Sequence, residues 1–308
     1  MTNLNIIMYH YVRPIIASKF PSIKGLELSS FTRQLDYISS RFSVISTSDL
    51  TASIKTGKHL PEKACWLTFD DGYRDHFNYV LPELINRGLT GAFFPPEAAI
   101  CGNVILDVNA IHHILANCDN LNTLRITLDK LCLDSGISKS KLNTFWKKYG
   151  ISNRFDDATT LYLKRMLQHA LPESLRTQII GQLFKDFVGV SQKDFSNELY
   201  MSTYEAAKMI DSGMYVGNHG SKHSHLDQIS EEEQRSDIAK GLNFLEEIGA
   251  PTKDWIMCYP YGGFNKTTLS IVKSMGAAAG ITTEVRQANL CLDNHLALPR
   301  FDTNDFPQ

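Results

Sequence analysis

The sequence lacks the features that mark membrane-spanning, nucleic-acid-binding or disulfide-stapled proteins. No apolar run approaches the ~20 residues of a transmembrane helix, and the N-terminus has neither a basic region nor a signal-like apolar core. A formal net charge of −2 and a pI near 6.5 offer nucleic acid no basic footprint. The six cysteines show no C-x-x-C spacing or disulfide pattern. These absences predict a globular, cytoplasmic chain with no nucleic-acid partner and no integral membrane segment.

Two adjacent carboxylates are the most informative feature that is present. Asp70 and Asp71 end the apolar segment 65–69, which indicates a buried strand, and Gly72 lets the chain turn immediately. Burying unpaired charge is costly, so a metal ion, a basic partner or open solvent must hold the pair. Taken alone, the pair is equally well explained by a solvated Asp-Gly turn.

A pair of histidines provides the second constellation. His219 and His223 follow the strand-like run 214–216, and they face the same way if the segment turns helically. Two histidines and one carboxylate are a common ligand set for catalytic zinc. An isolated pair would more often lie on a surface, but both motifs follow predicted strands, where α/β enzymes carry their chemistry. His225 and the pair at 112–113 lack that setting, which predicts surface or packing histidines.

Two further segments complete an ordered set of motifs. Residues 259–262 are Tyr-Pro-Tyr-Gly after a strand-like run, and residues 298–300 near the C-terminus are Leu-Pro-Arg. With the run 68–72 and the segment 219–223, in this order and spacing, the chain resembles the polysaccharide deacetylases, the NodB-homology carbohydrate esterases. The resemblance implies an α/β fold, a distorted (β/α) barrel of the NodB-homology type.

The resemblance also implies roles for individual residues. Asp71, His219 and His223 correspond to the ligands of a divalent metal, with zinc as the expected ion. Asp70 corresponds to the general base that takes a proton from the metal-bound water. This assignment agrees with the needs of amide hydrolysis, which are an activated water, a base, an oxyanion stabiliser and an acid for the departing amine.

The third motif matches the family in part. The backbone N–H of Tyr261 corresponds to the oxyanion donor, and Pro260 and Gly262 are expected to line the substrate site. Cys258 stands where many family members have an arginine that tethers the base. Gly220 stands where many have Ser or Thr after the first histidine.

The source of the acid is a second departure, because the last motif contains no histidine. His10 ends a strand-like run, and it resembles the acid histidine that a circularly permuted branch of the family delivers from the N-terminus. The competing interpretation is a packed histidine at a strand end, and His295 is the alternative acid. Arg300 is expected to replace the missing arginine as the partner of Asp70.

Apolar runs alternate with helical patterns on either side of one long interruption, which predicts a largely parallel sheet. One of these helices carries Phe31, Leu35 and Ile38 on its apolar face. Ser230 is predicted to begin a later helix with a capping box, and residues 296–301 are predicted to form the last strand. We assign residues 1–102 and 203–308 to the barrel. Residues 103–202 are expected to form a helical insertion subdomain that shapes the substrate cleft or makes a dimer contact. Its predicted helices lie near 108–117, 121–133, 139–148, 159–169 and 175–188.

The function predicted from these features is a metal-dependent hydrolase of a linear amide. It would remove acetyl from an N-acetylated amino sugar in a glycan or glycan precursor. In the cytoplasm the substrate would be a glycolipid, a nucleotide sugar or a soluble precursor. Two alternatives remain, a non-catalytic carbohydrate-binding relative and an amide hydrolase acting on a non-sugar substrate. The sequence leaves homo-oligomerisation open.

Overall fold

The computed structural model describes residues 3–153 and 156–307, and the chain divides into two compact units. The first unit comprises residues 1–14, 25–103 and 197–308. The second comprises residues 15–24 and 104–196. Within the described residues, no helix combines the length and the apolar character needed to cross a membrane.

The strands lie in the first unit. They are β1 (Asn3–Tyr9), β2 (Val12–Arg13), β3 (Leu26–Glu27), β4 (Ser43–Val44), β5 (Ala64–Asp70), β6 (Ala92–Phe94), β7 (Tyr215–Val216), β8 (Ile256–Cys258), β9 (Ala279–Ile281), β10 (Ala288–Asn289) and β11 (Phe301–Asp302). The main sheet has the order β10-β1-β5-β6-β7, with β11 beside β1 and β4 beside β5. Apart from the antiparallel pair β1–β10, the pairings of these strands are parallel.

Single bridges close the sheet into a distorted barrel. Beyond β7, Asn218 bridges Met257 of β8, which pairs with β9. On the far side of β9, Ile281 bridges Leu298, and the chain then enters β11, which pairs with β1. The ring therefore runs β1-β5-β6-β7-β8-β9-β11-β1. Because these strands are parallel, their carboxyl ends open onto one mouth, the end at which (β/α) barrels carry their sites.

Thirteen helices accompany the strands in the described residues. They are α1 (Leu28–Arg41), α2 (Thr47–Thr56), α3 (Leu81–Asn86), α4 (Glu97–Cys101), α5 (Asp107–Ala116), α6 (Leu121–Asp134), α7 (Lys139–Tyr149), α8 (Ala158–Arg165), α9 (Glu173–Val188), α10 (Gln192–Leu199), α11 (Thr203–Asp211), α12 (Glu231–Glu247) and α13 (Lys266–Ser274). Single π-helical turns cover His76–Val80 and Met166–Ala170. Short 3₁₀ turns cover Leu226–Gln228, Pro260–Gly262, His295–Ala297 and Thr303–Asp305. Helices α5 to α9 belong to the second unit, and the boundary at Asn197 falls within α10.

Aromatic side chains from neighbouring strands fill the centre of the first unit. The ring of Phe69 on β5 stacks between Tyr9 on β1, at 4.9 Å, and Phe93 on β6, at 4.7 Å. Helix α1 adds Phe31, whose edge meets Tyr9 at 5.4 Å. The residues of β5 are buried on both faces, which explains why this strand shows a continuous apolar run and no alternation.

Most predicted elements are present, and two are different. The five helices expected in the interruption correspond to α5 to α9, and Ser230 forms the expected capping box of α12. The prediction of one strand over 296–301 is wrong, because a 3₁₀ turn at His295–Ala297 and the bridge at Leu298 precede the two-residue β11. The segment with the histidine pair is not helical either, because left-handed residues at Gly220 and His223 bend it into a loop.

The barrel closure yields a stability prediction. Gly280 of β9 lies where a Cβ would overlap the carbonyl oxygen of Leu296 and approach Tyr259 Oη to 2.7 Å. We expect Gly280→Ala to lower the free energy of unfolding by about 1–3 kcal/mol, because β9 would have to move away from the closing segment. Gly181 in α9 has open space at its Cβ position and serves as the control. Gly181→Ala should raise stability by about 0.5–1 kcal/mol. Urea unfolding of both variants measures whether the free energy of unfolding falls in Gly280→Ala and rises in Gly181→Ala.

Candidate active site

Polar side chains converge at the carboxyl ends of several barrel strands. His10 follows β1, Asp70 and Asp71 end β5, the segment 218–223 follows β7, and Tyr261 follows β8. These side chains come from distant parts of the sequence but open onto the same mouth, because their strands run parallel. All of them belong to the first unit.

Asp71, His219 and His223 form a compact set of buried ligand atoms. Asp71 Oδ1 lies 3.5 Å from His219 Nε2 and 3.3 Å from His223 Nε2. Both separations exceed the 2.7–2.9 Å or so of a charge-assisted hydrogen bond. They match the spacing of roughly 3.3–3.6 Å between ligands that each lie about 2.0–2.2 Å from one tetrahedral zinc. The donor set and its spacing therefore fit a divalent metal.

Neighbouring groups orient two of these ligands. His219 Nδ1 donates to the Cys258 carbonyl oxygen at 2.7 Å, because a carbonyl can only accept, so the other ring nitrogen, Nε2, is the one turned towards Asp71. The Tyr73 hydroxyl donates to Asp71 Oδ2 at 2.5 Å, so Oδ1 is turned towards the histidines. Burial and the nearby Asp71 charge raise the pKa of Tyr73 well above its usual value, which keeps this donor protonated.

The charge of Asp71 is also maintained. Burial raises the pKa of this carboxyl, but His223 and His219 outweigh burial and hold the pKa well below its usual value. Asp71 is therefore ionised, as a metal ligand must be.

Asp237 on α12 shapes the loop that carries the histidines. Its two carboxylate oxygens accept the backbone N–H groups of Ser221, at 3.0 Å, and Lys222, at 2.9 Å. A Cβ at Gly220, which has φ +70°, would overlap the same carboxylate. The glycine thus gives Asp237 access to the backbone. The Ser221 hydroxyl adds a bond to Glu97 at 2.6 Å.

Asp70 and Arg300 form a buried, two-pronged ion pair. Arg300 Nη1 and Nη2 donate to the two oxygens of Asp70 at 2.9 and 2.8 Å. Arg300 Nε donates to the Thr282 carbonyl, and its Nη2 lies 3.5 Å from Cys258 Sγ, so the small thiol leaves room for the guanidinium. Burial raises the pKa of Asp70, but Arg300 outweighs burial and holds this pKa at about 2.

His10 lies beside this pair. Its Nε2 is 4.0 Å from Asp70 Oδ2, and 42% of its side chain is exposed, so a substrate could reach the ring. Behind it, the fully buried His76 donates from Nε2 to the His10 carbonyl at 2.8 Å. Burial lowers the pKa of His76 to about 4, which leaves it neutral.

His295 lies at the other end of β1. Its Nε2 donates to the carbonyl of Leu290 at 2.7 Å. Leu290 follows β10, and Asn289 of that strand pairs with Asn3 at the start of β1. His10 follows the last residue of the same strand, at the mouth. The geometry therefore favours His10 over His295 for any role beside Asp70.

Three residues of the site adopt a left-handed backbone conformation, which residues other than glycine rarely take. Six non-glycine residues of the described chain have positive φ, and they include Asp71 (71°), His223 (55°) and Tyr261 (57°). Such strain persists only where the surroundings impose it, and it concentrates at functional sites. Of the two expected substrate-site residues beside Tyr261, Pro260 is buried and Gly262 takes φ +69°, where a Cβ would overlap the Thr283 hydroxyl.

Four contributors escaped sequence reasoning. Tyr73 follows the carboxylate motif by one residue after Gly72, which is a usable signal. Asp237 on α12 and His76 at the start of a π-helical turn belong to none of the four motifs, and only the fold shows their contacts with the site. His225, predicted to be a surface or packing histidine, stacks on Tyr261 with ring centroids 4.0 Å apart. In contrast, His113 is buried and bonded to the Asn109 carbonyl, in keeping with a packing role.

A strand mouth with converging carboxylates and histidines is typical of metal-dependent hydrolases on (β/α) barrels. A model of the family described as polysaccharide deacetylase matches residues 180–280, a segment that includes His219, His223 and Tyr261. The resemblance to the polysaccharide deacetylases that the motifs predict is therefore confirmed. No curated protein sequence matches the chain significantly.

Solved deacetylase structures share the fold. Streptococcus pyogenes deacetylase PplD in complex with acetate has a TM-score of 0.59 and 16% identity, with 98% of this chain and 92% of that chain covered. IcaB from Ammonifex degensii has a TM-score of 0.55 and 17% identity, with 98% of this chain and 92% of that chain covered. The BpsB deacetylase domain from Bordetella bronchiseptica has a TM-score of 0.56 and 12% identity, with 98% of this chain and 96% of that chain covered. At these identities the likeness concerns the fold, and the predicted distorted (β/α) barrel is confirmed.

The ion pair beside the ligands yields a second stability prediction. Arg300→Met should lower the free energy of unfolding by about 3–5 kcal/mol, because it leaves the buried Asp70 carboxylate uncompensated. The double variant Asp70→Leu/Arg300→Met removes both charges and should recover much of that loss. Denaturant unfolding of the two variants measures the difference. A double variant as unstable as the single one would contradict this account of the pair.

Proposed function

We propose that the protein is a metal-dependent N-deacetylase that removes acetyl from an N-acetylated amino sugar in a glycan or glycan precursor. The observation that carries this proposal is the convergence of Asp71, His219 and His223 at ligand spacing. The ion-paired Asp70 lies next to Asp71 in sequence, and the fold is that of known deacetylases.

The proposal assigns the metal to Asp71 and the two histidines, with zinc as the expected ion. When bound, a divalent ion lowers the pKa of water and polarises the acetyl carbonyl. The two imidazoles and one carboxylate leave coordination positions for water and substrate. The bond from Tyr73 to Asp71 and the bond from His219 to Cys258 keep the ligand atoms turned inwards.

Asp70 is proposed to accept the proton of the attacking water. Its low pKa keeps it ionised across the physiological range, so it is always able to accept. The fork of Arg300 fixes both oxygens and therefore fixes the direction from which the proton arrives.

The departing amine needs a proton, and His10 is the proposed donor. Its ring is partly exposed and its Nε2 lies 4.0 Å from Asp70 Oδ2, so a substrate bound beside the carboxylate could contact it. The backbone N–H of Tyr261 is the proposed donor to the oxyanion, with Pro260 and Gly262 flanking it.

The helical region is proposed to be an insertion that selects the substrate. Residues 103–202 interrupt the barrel sequence, and the proposed ligands, base, acid and oxyanion donor lie outside this range. Segments inserted between barrel strands commonly adapt one scaffold to different substrates. Such a segment would bind the carrier of the sugar, for example a lipid or a nucleotide.

The proposed function is tested by acetate release from a panel of N-acetylated sugars, glycolipids and nucleotide sugars. We expect release by the zinc-loaded protein and its loss on chelation. His223→Ala should bind less zinc and lose turnover, whereas His59→Ala, at an exposed loop histidine, should change neither. A folded protein that binds zinc but releases no acetate from the panel would favour a binding relative. Release from non-sugar amides alone would favour the other alternative.

Variants of the proposed proton-transfer residues should separate chemistry from metal binding. Asp70→Asn should retain zinc yet lose most turnover, because the amide cannot accept a proton. His10→Gln should retain zinc and lose about 10²–10⁴-fold in kcat, the usual contribution of a positioned acid. Zinc content and kcat are measured on the same preparations. Near wild-type rates in either variant would remove that residue from the mechanism.

A further inference from the structure

The rings of His223, Tyr261 and His225 form one contiguous cluster at the edge of the site. The Tyr261 ring lies face to face with the imidazole of His225, with centroids 4.0 Å apart and planes inclined by 7°. On the other contact, the His223 ring meets Tyr261 edge-on at 4.6 Å and 64°. Tyr261 is thus clamped between a metal-ligand candidate and a histidine outside the ligand set.

The Tyr261 backbone needs such a clamp. Its φ of 57° lies in the left-handed region, where the backbone of a tyrosine is strained. Two tight-turn bonds surround it, from Gly262 N–H to the Tyr259 carbonyl at 2.8 Å and from Gly263 N–H to the Pro260 carbonyl at 2.9 Å. These bonds fix the neighbouring peptides but not the Tyr261 ring. An aromatic pair of this kind stabilises the arrangement beyond the effect of buried area and so offsets part of the strain.

The position of His225 suits this task. It lies directly before the 3₁₀ turn Leu226–Gln228, and Asp227 Oδ1 is 3.9 Å from its Nδ1. The imidazole is therefore fixed at its base by the turn and has a carboxylate near its edge, while its face covers Tyr261. Its side chain is 27% exposed, so it is neither a core residue nor a free surface histidine.

We propose that His225 is a positioning residue, whose ring holds Tyr261 in the left-handed conformation and so aims the Tyr261 N–H at the reacting carbonyl. This inference rests on the proposed deacetylase function for its kinetic consequence. Its structural consequence, the conformation of Tyr261, is independent of that function. His225 would act through Tyr261, without contact to the reacting atoms.

The experiment compares three variants in the zinc-loaded protein. Loss of a whole oxyanion donor costs about 10²–10³-fold in kcat, so a loosened donor in His225→Ala should cost about 10-fold, with KM changed less than about twofold. His225→Phe keeps a flat ring and should recover kcat to within about threefold. His59→Ala is the matched control. Zinc content and a thermal unfolding curve are recorded for each, and crystal structures of the Ala and Phe variants give the Tyr261 φ.

The outcomes separate the inference from the function on which it rests. An active wild type together with an unchanged His225→Ala kcat would overturn the inference and leave the function standing. Equal losses in the Ala and Phe variants would also overturn it, because the imidazole and not the stack would matter. If no substrate is turned over, the function fails, and the Tyr261 φ decides the inference. A φ that leaves the left-handed region in His225→Ala and returns in His225→Phe supports it, and an unchanged φ overturns it.

Discussion

Two neighbouring buried carboxylates at the end of β5 impose the main constraint on this structure. Asp70 and Asp71 are both ionised and 2–3% exposed, so each needs its own compensating group. Asp70 is compensated by the fork of Arg300, which the chain delivers from its last strand region. Asp71 is met by His219 and His223 from the loop after β7. Compensation of the two charges therefore brings the Arg300 segment and the histidine loop, from different parts of the barrel, to the end of β5.

The closure of the barrel is linked to the compensation of the Asp70 charge. The segment that carries Arg300 bridges β9 at Leu298 and pairs with β1 through β11. Regular pairing is short there, and the buried ion pair is one of the contacts that bind this segment to β5. The segment from Leu298 to β11 has few strand hydrogen bonds, and the Asp70–Arg300 ion pair fastens it to β5. The same ion pair therefore belongs to the candidate site and to the closure of the barrel.

A shell of residues outside the candidate ligands sets their geometry. Tyr73 fixes one oxygen of Asp71, Asp237 fixes the loop backbone, and His76 fixes the His10 carbonyl. Each acts through a single hydrogen-bonded step, and each is buried where water cannot compete. Strained φ values at Asp71, His223 and Tyr261 show the cost of this arrangement, which the surrounding contacts must offset.

The sequence by itself determined the motifs, their order and most regular elements. Local signals suffice there, since the apolar run 65–69 predicts a buried strand and Phe31, Leu35 and Ile38 predict the buried face of α1, as observed. The resemblance carried by the motifs predicted the barrel. Only the tertiary structure decided that the histidine loop is held by Asp237, that Arg300 fits beside Cys258, and that His10, not His295, lies at the mouth. These are contacts between distant segments, and no periodicity or local propensity of one segment encodes the position of another.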